Sequence, residues 1–239
     1  MSKAASAPTG GLEIMRSILR TIILDRGGES KRAGRPARLF IGALVLALLS
    51  SCASNIRNTQ HTFHTVVIDP GHGGHDPGTR SSHYMPEKDA ALDIALRLDQ
   101  KMRAAGFKTV LTRKDDTFIP LDDRVRISNR EENAIFISVH LNEARPRPEI
   151  HGVETYYTSS QSTELARKIV ERVATVPGEA GRGIHTAHFH VLRLNLNPAV
   201  LVECGYFSNR AEAKRFADPN YRDAIAGAIA QALIEEKKK

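Results

Sequence analysis

The sequence predicts an α/β fold in a single domain, with a central, mostly parallel or mixed sheet of about six strands flanked by helices on both faces. Two observations predict it. From Phe63 onward, β-branched or apolar runs alternate with segments of helical spacing. Three of those apolar runs also lead into a His or a Glu, the pattern of an open sheet whose strand ends carry a site. No internal repeat and no second domain is visible.

The elements follow in order. Residues 65–69 form a short β-branched strand, and residues 88–105 space Leu92, Ala95, Leu96, Leu98 and Met102 as a helix that stops at Gly106. Residues 107–112 read as a strand and 121–132 as a helix. Residues 134–140 are an apolar strand, and residues 152–158 alternate through Tyr156 and Tyr157. Residues 162–176 are helical and end at Pro177-Gly178, with a His-rich loop beyond. A last buried strand spans 199–204, and helices follow near 210–217 and 221–236.

Upstream of this body, Lys31, Arg32, Arg35 and Arg38 lead into an apolar run at residues 39–49 that ends in Ser50-Ser51-Cys52. As a helix that run rises about 16 Å, too short for a hydrocarbon core of roughly 30 Å. A charged start, a short apolar stretch and small residues before a break describe a secretory signal. The sequence Leu49-Ser50-Ser51-Cys52 resembles a bacterial lipobox, which makes Cys52 a lipidation site; an uncleaved membrane anchor is the competing reading. The leader before the signal is long, and Met15 is an alternative start. The organisation expected is a lipoprotein-type signal peptide with its leader at 1–51, a polar tether at 52–62, a catalytic domain at 63–236 and a basic tail at 237–239. The chain is expected to be exported to the periplasmic face of a bacterial membrane and anchored there by lipid.

The net charge is +7, but its distribution excludes an electrostatic nucleic-acid binder. Eight of the 34 Lys and Arg and three of the 27 Asp and Glu lie in residues 1–51, leaving 26 bases against 24 acids in a body without Trp. No nucleic-acid partner is expected. With Cys52 lipidated, Cys204 has no intramolecular partner.

The chemistry gathers at the strand ends. The run 65–69 passes through Pro70-Gly71 into His72, residues 135–139 run into His140, and residues 200–202 run into Glu203. If these strands are parallel neighbours, two imidazoles and a carboxylate converge from distant positions. A His at a strand end is often structural, so the pattern alone leaves a metal site and a packing role both open. The loop 71–78, Gly-His-Gly-Gly-His-Asp-Pro-Gly, lacks the Gly-Lys-Ser/Thr ending of a phosphate cradle. Glycines flanking a His instead allow a sharp turn and a close approach to a metal.

At this point the residues resemble a known family. Val67-Ile68-Asp69-Pro70-Gly71-His72-Gly73-Gly74-x-Asp76-x-Gly78 is similar to the opening motif of the type-3 N-acetylmuramoyl-L-alanine amidases. The likeness continues through Glu87-Lys88-Asp89-x-x-Leu92, Leu111-Thr112-Arg113, Leu121-x-x-Arg124, Phe136-Ile137-Ser138-Val139-His140-x-Asn142 and Val191-Leu192-Arg193. It closes with Pro198-Ala199-Val200-Leu201-Val202-Glu203-x-Gly205-Tyr206-x-Ser208-Asn209. The resemblance implies a Zn2+ site of His72, Glu87 and His140, with Glu203 as the catalytic base. By pattern alone, Glu87 is a helix N-terminal acid. The implied reaction is zinc-dependent hydrolysis of the amide between N-acetylmuramic acid and L-alanine in peptidoglycan. Arg193 aligns with a family Arg and is expected to contact a stem-peptide carboxylate or the developing oxyanion, with a surface salt bridge as the competing reading. Asn142 is expected to bind substrate or to support the site from beside His140, with a strand-end turn as the competing reading.

Other readings remain. A zinc peptidase acting on a non-wall substrate and a catalytically inactive, tethered wall-binding protein share this fold. His185, His188 and His190 suggest a second metal cluster, although their family counterparts are variable; His75 and His83 match no ligand position. Cys204 adjoins Glu203 on a strand and is expected to face the packing side as a buried thiol rather than act as a nucleophile. The 62 residues from 141 to 202 leave no room for a long inhibitory helix between His140 and Glu203, so none is expected.

Overall fold

The computed structural model describes residues 56–79 and 84–238. The signal segment and Cys52, together with His83, lie outside these residues.

Six strands form one sheet: β1 (Thr65–Pro70), β2 (Lys108–Leu111), β3 (Ala134–Asn142), β4 (Val153–Tyr157), β5 (Gly181–Thr186) and β6 (Ala199–Tyr206). Their order is β2-β1-β3-β6-β4-β5. The first four run parallel, β4 runs antiparallel to β6, and β5 is parallel to β4. The three strands expected to end at the site are therefore adjacent and parallel in the middle of the sheet.

Strand geometry sends alternate side chains to opposite faces, and both faces here are covered. Val66, Ile68, Ile135, Ile137, Val139, Val200, Val202 and Cys204 join the larger core. That core is closed by α1 (Glu87–Ala104), α3 (Thr163–Val173), α5 (Arg210–Ala217) and α6 (Pro219–Lys237). Val67, Phe136 and Leu201 meet α2 (Leu121–Asn129) and the short α4 (His190–Arg193) on the other side. Burial on both faces explains why these strands are apolar throughout rather than alternating.

Two elements differ from expectation. The His-rich loop contains the edge strand β5 and the single turn α4. The β5 sequence, Gly-Arg-Gly-Ile-His-Thr, is largely exposed and has two glycines, so neither alternation nor β-propensity marks it. Residues 56–62, expected as a loose tether, are docked on the body. The Arg57 N–H donates to the Leu196 carbonyl at 2.7 Å, its Nη1 donates to the Glu131 carbonyl at 2.7 Å, and Thr59 Oγ1 donates to the Ala134 carbonyl at 2.7 Å. The segment is polar because its anchoring contacts are hydrogen bonds. Among the described residues, no helix is long and apolar enough to cross a membrane.

Candidate metal centre

The centre is built on the end of β1. Asp69 is buried and accepts hydrogen bonds from Thr112 Oγ1 at 2.6 Å, Ser138 Oγ at 2.8 Å and Arg124 Nη1 at 2.8 Å. Arg124 also donates to the carbonyls of Pro70 and His72, each at 2.6 Å. Arg113 donates to the carbonyls of Pro70 at 3.1 Å, Gly71 at 2.7 Å and Lys88 at 2.8 Å. Two buried guanidinium groups thus pin successive carbonyls of the chain where it leaves the sheet. Such pinning is needed, because His72 adopts φ +60, a left-handed conformation that costs a non-glycine residue about 1–2 kcal/mol. Strain of this kind persists where surrounding contacts over-determine the backbone.

His72, so held, places Nε2 2.9 Å from Glu87 Oε1, while its Nδ1 lies 2.8 Å from Asp76 Oδ2. A carboxylate there takes the Nδ1 hydrogen and leaves the Nε2 lone pair facing Glu87. Glu87 is buried in the first turn of α1, and its Oε1 also lies 3.0 Å from His140 Nδ1. The same oxygen accepts the Leu141 N–H at 3.0 Å, and Oε2 accepts the Thr79 N–H at 2.8 Å. One potential ligand atom from each of His72, Glu87 and His140 falls within 4.8 Å of the others, the one such His/Cys/Asp/Glu group among the described residues. Two glycines make room: a Cβ on Gly71 would sit 2.3 Å from His140 Cε1, and one on Gly78, at φ +63, would sit 2.5 Å from Glu87 Oε2.

The charges fit a cation. Burial alone would raise the Glu87 carboxyl, but hydrogen bonds from His140 and His72 hold it well below the usual carboxylate range. Burial opposes the positive form of His72, yet Glu87 and Asp76 lift its pKa above the ordinary value. Two imidazoles and one anionic carboxylate form a donor set suited to catalytic zinc, which keeps a fourth position open. The residues therefore fit the metal that the sequence implies.

Glu203 on β6 is the register partner of His140. Its Oε2 is shielded from solvent and has no hydrogen-bond partner. Burial, and then the charges of Glu87 and Glu154, push its carboxyl well above the ordinary range. Cys204 points into the opposite face and is fully buried in the larger core; burial pushes its thiol up, as expected for a packing residue. Asn142 lies near the centre, donating to Glu154 Oε2 at 3.3 Å. Arg193 does not: it is exposed at the end of α4 and lines neither cavity at the centre. The three His residues of the 185–190 stretch form no joint site. His190 pairs with Asp122 at 2.6 Å, and His185 lies 4.0 Å from Glu154. His75 packs against the Phe118 ring at 4.2 Å.

Two cavities open at the centre, and His72, Asp76 and His140 line both. The larger, about 570 Å³, is polar and is lined also by Thr79, Asn142, Glu143, Arg145 and Glu203. The other, about 380 Å³, is lined by Phe118, Ile119, Leu121, Phe189 and Val191. Between β3 and β6, α3 packs into the larger core, and α4 is four residues long.

Comparison with known proteins adds an independent finding. The family model described as N-acetylmuramoyl-L-alanine amidase matches residues 66–235. The chain is similar to N-acetylmuramoyl-L-alanine amidase LytC of Bacillus subtilis (strain 168), 37% identical over 174 residues, which cover 71% of this chain and 35% of LytC. It thus spans about a third of that relative. Among solved structures, it is similar to the amidase AmiC2 of Nostoc punctiforme, with a TM-score of 0.70 and 37% identity over 73% of this chain and 97% of that one. An N-acetylmuramoyl-L-alanine amidase from Clostridium difficile 630 matches with a TM-score of 0.69 and 35% identity, covering 72% of this chain and 96% of that one.

Proposed function

The chain belongs to the N-acetylmuramoyl-L-alanine amidase family, and from that premise we propose that it hydrolyses the amide between N-acetylmuramic acid and L-alanine in peptidoglycan with the aid of zinc. The observation that carries the proposal is the convergence of His72, Glu87 and His140 on one point, with Glu203, the register partner of His140, carrying an unpartnered Oε2. His72, Glu87 and His140 would hold the zinc, which would supply Lewis acidity to activate a water and polarise the scissile carbonyl. Asp76 keeps His72 in the tautomer that faces the site. Glu203 takes a proton from the attacking water and returns it to the leaving amine. Burial makes the Glu203 carboxylate a stronger base than an exposed one for the first transfer, and the acid so formed is the donor for the second. Asn142 steadies this edge of the site through Glu154. Export and a lipid anchor at Cys52, at the periplasmic face of a bacterial membrane, complete the reading on the N-terminal sequence alone.

Release of dye from labelled sacculi tests the proposal. The wild type should release dye, a chelator should stop it, and added zinc should restore it. Glu203→Gln should still bind one zinc per chain while its rate falls about 10²–10⁴-fold. Sacculus binding without release by the wild type would favour a wall-binding role and remove the enzymatic one.

A further inference from the structure

The two cavities at the centre differ in chemistry, and Glu203 lines the polar one alone. In the apolar cavity Leu121 is 53% and Phe189 42% exposed, although both are large apolar side chains. The Phe189 ring stands 5.2 Å from that of Tyr156, extending an aromatic edge. The charges beneath are spent on each other, since Arg124 and Asp69 form a buried pair at 2.8 Å.

We propose that the apolar cavity is the glycan subsite and the polar cavity the peptide subsite, so that substrate crosses the centre in one fixed direction. This rests on the amidase reading above. The scissile bond joins an acyl carbon on the sugar side to a nitrogen on the peptide side. When the C–N bond breaks, water supplies the hydroxyl that completes the carboxylic acid, and the nitrogen takes a proton. Glu203 delivers that proton, so the nitrogen and the peptide attached to it lie on the Glu203 side. The sugar half must then leave through the remaining cavity. Its chemistry agrees: hexose rings present C–H faces, and their N-acetyl groups present methyls, to an aromatic edge. The peptide half, with its backbone amides, meets Thr79 and Asn142 in the polar cavity, where Arg145 pairs with Glu143 at 2.6 Å. Phe189 is thus a specificity-determining residue for the glycan.

The test uses two substrates with the same scissile amide: a disaccharide-bearing muropeptide, and the lactoyl stem peptide that lacks the sugars. Phe189→Ala should raise KM for the muropeptide about tenfold with kcat little changed, and leave the lactoyl peptide unaffected. Phe189→Tyr, which keeps the ring, should retain the wild-type KM. Equal losses on both substrates, or none on either, would overturn the proposal. A second readout does not depend on turnover. Peptide-free disaccharide titrated into the full chain carrying Glu203→Gln should shift NMR signals of Phe189 and Val191, and free stem peptide should not. Shifts from the stem peptide, or none from the disaccharide, would refute the assignment. Should the wild type hydrolyse neither substrate, the amidase reading fails, and the titration alone still decides what the apolar cavity binds.

Discussion

Two clusters of this protein are each built around a carboxylate drawn out of solvent, and they behave oppositely. At the centre, Glu87 is flanked by two imidazoles and is held anionic. Behind the sheet, Glu179 lies close to Glu212 and accepts a hydrogen bond from Tyr221. There, burial and the neighbouring Glu212 push the Glu179 carboxyl up to about 8, against the pull of Tyr221 and Arg215. Glu212 spends its oxygens on the N–H groups of Gly152 at 2.9 Å and Tyr206 at 2.6 Å. The first cluster has donors able to share a cation and opens on two cavities. The second is closed by backbone, and its burial favours the protonated form. A buried acid is therefore no mark of a site by itself; its partners and its access decide.

The largest effect expected from breaking this contrast lies in the scaffold beneath the centre. Arg124→Met removes the partner of a fully buried Asp69 and also frees the carbonyls of Pro70 and His72. Loss of one member of such a pair costs about 3–5 kcal/mol. Denaturant unfolding should show it, together with weakened zinc binding, because the strained His72 backbone loses its brace. An unchanged midpoint with intact metal affinity would mean that Arg113 alone suffices.

A smaller effect concerns the tautomer of His72. Asp76→Asn keeps the shape of the side chain but removes the charge that faces Nδ1 at 2.8 Å. Loss of such an outer carboxylate commonly lowers metal affinity about 10–100-fold. Competition with a chelator should place this variant between the wild type and His72→Ala. Affinity equal to wild type would show that packing against Gly78 orients the ring without help.

The roles of these residues were unevenly legible in the sequence. His72, His140 and Glu203 stood out because each follows an apolar run, and the runs are neighbouring parallel strands. Glu87 carries no such signal: it opens a helix, where an acid is ordinary, so the resemblance alone nominated it, and the structure brings it to both imidazoles. Asp76, Arg113 and Arg124 fell within the quoted motifs, but nothing local says that a guanidinium some 40 or 50 residues downstream caps the carbonyls around His72. Arg193 shows the opposite case, a motif residue that stands outside the centre. The strand β5 escaped because an edge strand with two glycines and exposed side chains has no periodicity to read.

The smallest expected effect belongs to the closed cluster and is a pH dependence. The carboxyl of Glu179 moves from an ordinary 4.5 to about 8 on folding. Below pH 4.5 both folded and unfolded chains carry the proton, and its contribution to stability is fully present. As pH rises toward 8 the unfolded chain ionises while the folded one resists, so that stability is progressively lost. Glu179→Gln removes the titration yet keeps an oxygen to accept the Tyr221 hydroxyl. Relative to wild type, the variant should gain stability at pH 8 and gain nothing at pH 4. Unfolding curves at the two pH values measure the difference. Zinc affinity should not follow it, since the two clusters share no ligand. A parallel change in metal affinity would break the separation on which the contrast rests.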